Sequence, residues 1–220
     1  MELQKKPVET YFTEKLDDHV VIDEKLALLL LLLEERPGVL VMNPELDDRK
    51  ILKQFAQEFD LEHLYTGGEG ERGLKDKLLH EDSRMFKGGF FITDEKERFR
   101  ILKESEGRFY GFSDRAVGRF LGYPEDDTEY FAENVVEGHI ERPTREKAEE
   151  LVSEGVLKKS DLKYLELVSY VPRPRKENIV KAVETGKKRE QKILEIDDEL
   201  GLEVGKNILR EIFRDPLYEA

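Results

Sequence analysis

The chain has 220 residues, 40% of them charged and 38% hydrophobic, with no Cys and no Trp. That length suits one domain, or one domain with a helical annex, and the missing Cys excludes disulfides, thiolate metal sites, iron–sulfur clusters and cysteine nucleophiles. The formal charge of −13 argues against generic nucleic-acid binding, which needs Lys and Arg to displace counterions from the phosphate backbone.

Residues 1–20 read as a charged arm, with Lys5, Lys6, Glu9, Glu14, Lys15, Asp17 and Asp18 where a signal peptide would be apolar, so a cytoplasmic location is expected. Residues 22–35 read as a helix stopped by Pro37 and Gly38. Its run Leu28–Leu33 is too short to span a bilayer, and no membrane partner is expected. Leucine on every side of a helix asks for burial on every side, either between other elements or between two subunits, and a homodimer through this helix is one expectation.

Gly38 to Asn43 then reads as a short buried strand, about 45–59 as a helix with Leu46, Ile51, Leu52, Phe55 and Phe59 at helical spacing, and Leu61 to Tyr65 as a second strand. This is a βαβ-like opening. A glycine-rich loop from Gly67 to Gly73, a short helix over 74–80 and a strand from Gly88 to Thr93 follow. The segment 94–104 fits two patterns: Asp94, Glu95 and Glu97 suit a helix start, whereas the alternation of Phe99 and Ile101 suits a hairpin arm; helix is favoured.

From Ser113 onward the pattern is almost wholly helical. Ser113 caps a short helix, Gly122-Tyr123-Pro124 breaks it, and Glu125, Asp126 and Asp127 open the next, where negative charge complements the helix dipole. Thr144 and Ser160 are expected to cap two more. A turn at Val171 to Pro174 introduces a long helix of about 176–200, ended by Gly201, and 203–213 is the last. The fold class is therefore α+β (or α/β): a small mixed sheet of 3–4 strands with N- and C-terminal helices, divided into an arm (1–20), a core with the Leu-rich helix (21–112) and a helical annex (113–220).

Candidate chemistry is sparse. Gly68, Gly70 and Gly73 spell G-x-G-x-x-G after a possible strand, and with Arg72 and Lys75 they offer a phosphate site for a phosphate- or nucleotide-dependent enzyme. Glu69 and Glu71 place negative charge where a pyrophosphate would sit, so a flexible polar loop is the competing reading. His19, His63, His80 and His139 include no pair at i, i+4 spacing, and Asp126, Glu129, Glu133 and Glu137 align as a solvated acidic face, so neither a metal nor a cofactor is assigned. No G-x-S-x-G elbow occurs, and no catalytic residue is assigned. The segment Arg173 to Lys192 holds eight basic residues against three acidic ones, a patch that could receive an acidic or phosphate-bearing partner, or a solvated face salt-bridged to its neighbours.

Gly111 to Phe131 resembles the core of an uncharacterised, mainly archaeal domain family, the domain-of-unknown-function 483 family. Its pattern is Leu-Gly-Tyr-Pro, one residue, a Cys pair, then an aromatic; Leu121, Gly122, Tyr123, Pro124 and Phe131 match. Downstream the family tends to carry His-x-Pro-Cys and later a helical Gly, positions similar to Tyr170-Val171-Pro172-Arg173 and Gly186 here, with His and Cys replaced. If the kindred cysteines bind metal or a cluster, the carboxylates of Asp126 and Asp127 and the guanidinium of Arg173 cannot reproduce that soft site. The resemblance thus implies an inherited corner without thiol chemistry: an accessory or binding protein, non-catalytic, with a polar pocket or partner surface formed by Tyr123, Asp126, Asp127, Arg173, Arg175 and Lys176.

Overall fold

The computed structural model describes residues 3–66, 88–103, 112–134 and 141–214. A three-stranded antiparallel sheet lies between two apolar layers, and most of the remaining described chain is helical, as an α+β fold requires. Helix α1 (Lys5–Thr10) runs on into a π-helical segment, Tyr11–Lys15. Val8, Tyr11, Phe12 and Leu16 recur every three to four residues and are all buried. Helix α2 (Ile22–Leu32) opens with Asp23 and Glu24, and the Glu24 carboxylate takes the N–H of Val21 at 3.3 Å. Leu28–Leu32 are each at most 2% exposed, covered by strand β1 (Gly38–Met42) and by the C-terminal helices of the same chain.

Helix α3 (Leu46–Glu58) links β1 to β2 (Glu62–Thr66), and β3 (Gly89–Thr93) pairs antiparallel with both. Strands β1 and β2 therefore run parallel without touching, because β3 sits between them, and the βαβ-like opening is a split one. As the central strand β3 is buried at every position. Phe90 and Ile92 join Val39, Val41, Phe55 and the leucines of α2 on one face; Phe91, in register with Leu40 and Leu64, packs with Leu102, Val117 and Phe120 on the other.

The 94–104 segment is helical where it is described, a 3₁₀ turn (Lys96–Arg98) leading into α4 (Phe99–Lys103). A hairpin arm had no place to pair, since both edges of β3 are occupied. Ser113 caps α5 (Asp114–Phe120), its Oγ accepting the N–H of Ala116 at 3.2 Å, and α6 spans Glu125–Asn134. Two expected caps are not caps. Thr144 lies inside α7 (Glu141–Ser153), fully buried, its hydroxyl donating to the Pro172 carbonyl at 2.7 Å. Ser160 lies within a 3₁₀ helix (Lys159–Leu167) whose start is held by the Asp161 carboxylate on the Lys158 N–H at 3.1 Å.

Helix α8 spans Lys176–Leu200 and ends at Gly201 in the left-handed region, φ 61°. Asp197 then accepts the N–H groups of Gly205 and Lys206, seating α9 (Val204–Ile212). A second apolar cluster, with Leu151, Leu165, Val168, Ile179 and Val183, holds α7 and the 3₁₀ helix against α8. Among the described residues no helix is long and apolar enough to cross a membrane.

Candidate functional site at the Gly122 corner

The chain reverses at Gly122 for two separate reasons. Its φ is 76°, which L side chains rarely adopt, and a Cβ there would lie 2.5 Å from the Pro37 ring. The turn delivers the Tyr123 ring to 5.2 Å from that of Tyr170 and lets the Tyr123 hydroxyl accept a hydrogen bond from the buried Arg36. The Pro124 carbonyl accepts the N–H groups of Asp127 and Thr128, which starts α6 and sets its acidic first turn against the segment 170–178.

The two acids then part company. Asp127 is 3% exposed, and its Oδ1 accepts the Arg173 amide N–H and the Asn178 Nδ2, both at 2.8 Å. Burial lifts its pKa above the usual aspartate range, an effect the two hydrogen bonds oppose. Asp126 stays in solvent, its side chain 55% exposed, with Arg173 Nη1 at 3.3 Å and Arg175 Nη1 at 3.7 Å. Lys176 begins α8 on the same exposed turn. Beneath the turn the hydroxyl of Thr144 holds the Pro172 carbonyl.

Behind this surface lies a buried layer that the sequence did not reveal. Arg36 and Arg189 are 5% and 8% exposed. Arg36 Nε donates to the Gly38 carbonyl at 2.8 Å; Arg189 donates to the carbonyls of Leu167 at 2.7 Å and Glu35 at 3.2 Å, at the end of the 3₁₀ helix and just past the end of α2. Burial lowers the pKa of both guanidiniums, and with the Arg36 charge nearby Arg189 falls to about 10. Burial and the Asp127 charge push Tyr170 up to about 12. A signal for Arg189 was present: it falls on the stripe Ile179, Ala182, Val183, Gly186, Ile193 that α8 buries.

All six corner residues singled out from the sequence, Tyr123, Asp126, Asp127, Arg173, Arg175 and Lys176, are thus at or beside one junction. The rest of the basic stretch partly spends its charge within the chain, with Lys187 on Asp161 at 2.8 Å and Lys188 on Glu35 at 3.1 Å. Gly68, Gly70, Arg72, Gly73 and Lys75 lie outside the described residues, as do His80 and His139. His19 and His63 are remote from each other in role: His19 Nδ1 is 2.8 Å from Asp48 Oδ1, and His63 stacks flat on Phe90, with burial lowering its pKa.

Positions 126, 127, 170 and 173 meet here. Their occupants do not make a metal centre: the Arg173 amide and guanidinium already engage both carboxylates, and a guanidinium brings no lone pair to a cation. Among the described residues no group of three or more His, Asp or Glu could hold a metal ion. What the arrangement can do is hold a carboxylate or phosphate between two guanidiniums. Comparison with protein-family models, with curated proteins and with solved structures returns no match.

Proposed function

We propose that this chain is a cytoplasmic, archaeal-type accessory or binding protein without catalytic activity, and that the turn bearing Arg173, Arg175 and Lys176 receives an acidic or phosphate-bearing group of a partner. The observation that carries the reading is that two guanidiniums share one half-exposed carboxylate, Asp126, at 3.3 and 3.7 Å. Exposed ion pairs contribute at most about 1 kcal/mol, so an incoming anion can displace or share Asp126 at small cost, and arginine forks suit phosphate and carboxylate geometry. Asp127 serves the same reading from below, because it fixes the backbone from which both arginines project.

Inorganic pyrophosphate titrated into the protein, followed by amide chemical shifts, provides the test. Saturable shifts confined to Arg173, Arg175, Lys176 and their neighbours are expected, weakened at least tenfold in the double variant Arg173→Gln/Arg175→Gln. Shifts spread over the surface, or an affinity indifferent to both substitutions, would remove the reading.

A further inference from the structure

A different face of the molecule carries a second interaction surface. Among the described residues the large exposed hydrophobic side chains are Val21 at 63%, Leu46 at 60%, Met42 at 54% and Val156 at 37%. Two of them come from different elements, Val21 before α2 and Met42 at the end of β1, and meet at one mouth, with Leu46 close by in the chain at the start of α3. Val21 and Met42 line a cavity of about 410 Å³, and Leu46 follows its Asn43-Pro44 rim. Exposed apolar side chains scattered singly need no explanation; two lining one hollow, with a third two residues from its rim, do.

The lining is also of one sign. Asp17, Asp18, Glu24 and Asp48 contribute carboxylates, and among the described residues no Lys or Arg lines the cavity, although Lys25 reaches Asp17 from outside it. Two of these acids are held in place by backbone: Glu24 accepts the N–H groups of Met42 at 3.1 Å and Val21 at 3.3 Å, and Asp48 accepts the Glu45 N–H at 2.7 Å while its other oxygen meets His19. The same bonds fix the backbone under Val21, Met42 and the start of α3, so apolar and acidic groups are positioned by one network. Glu24 also takes a backbone donor at the open side of β1, where an added strand would need it, which disfavours strand addition and leaves side-chain docking.

We infer that this mouth docks a basic segment of a partner protein in which Lys or Arg residues flank large apolar ones. Apolar side chains enter beside Val21 and Met42, and the flanking cations answer the net negative charge of the lining, where Asp17 is already paired with Lys25 and Asp48 with His19. Charge complementarity selects this occupant, since an acidic segment would meet like charge on every side of the mouth. The surface is independent of the arginine turn, so either can fail without the other.

The test uses fluorescence anisotropy of a labelled peptide alternating Lys and Leu, against one control with Glu for Lys and a second with Ser for Leu. Saturable binding of the Lys/Leu peptide is expected, at least tenfold tighter than either control and weakening as salt rises. Met42→Ser/Leu46→Ser and, separately, Asp18→Asn should each weaken it, and all three positions are exposed, so these variants should fold. Binding unchanged by these substitutions, or absent altogether, would overturn the inference. So would concentration-dependent self-association lost in Met42→Ser/Leu46→Ser, which would assign the surface to a second copy of this chain.

Discussion

Asp126 and Asp127 are neighbours in sequence and identical in chemistry, and the fold gives them opposite tasks. Asp127 satisfies a backbone amide and Asn178 from a buried position, so Asp127→Ala leaves two donors without an acceptor and should destabilise by about 2–3 kcal/mol. Asp126→Ala removes only exposed ion pairs and should stay within about 0.5 kcal/mol. Urea unfolding of the two variants measures the contrast; equal effects would place the two side chains in equivalent surroundings. Both acids were visible in the sequence as a charged helix start. Which of them is buried was not, because that depends on Arg173 and Asn178, some 50 positions further on.

Helical periodicity was the most legible feature of the chain, and α8 has the bounds it announces, 176–200 with a terminating glycine. The N-terminal helix passed unread beneath its charges, although Val8, Tyr11, Phe12 and Leu16 carry the period. Thr144 misled for another reason: its hydroxyl reaches across 28 residues to the Pro172 carbonyl. Gly186, conspicuous inside a long helix, has its cause in packing between elements. A Cβ there would run into the backbone carbonyl of Tyr164, so α8 crosses the Lys159–Leu167 turn at direct backbone contact. Gly186→Ala should therefore lose about 2 kcal/mol by overpacking, even though alanine favours a helix interior by about 1 kcal/mol. Gly155→Ala is the comparison: nothing lies within 4 Å of its added Cβ, and only the positive φ of 72° is strained. Thermal or urea unfolding in which Gly186→Ala matches or exceeds the wild type would remove the close crossing.

Across the whole molecule, the apolar run Leu28–Leu33 announced burial on all sides; Leu28–Leu32 are buried and Leu33 partly so, and the covering layer comes from the chain itself, from β1 to the C-terminal helices. Strand order was not legible, since pairing β3 between β1 and β2 is settled by long-range register rather than by any local pattern. The junction between the corner and the basic turn was only half legible: its surface residues could be named from the sequence, whereas of the buried arginines behind them only Arg189 carried a signal, its place on the apolar stripe of α8, and it was passed over.

That junction centres on the Asp127 carboxylate, which accepts the Arg173 amide and Asn178 from a distant segment. Because the folded pKa of Asp127 is raised, its contribution to stability is greatest below the unfolded aspartate value of about 3.9 and is lost as pH rises through the folded one. An amide bonded to a carboxylate reports that ionisation in its own proton shift, so a pH titration of the Arg173 amide resonance reads contact and electrostatics together. A midpoint above about 3.9, abolished in Asp127→Asn, is the expected result. An Arg173 amide that does not titrate, or that titrates unchanged in Asp127→Asn, would contradict the joined corner.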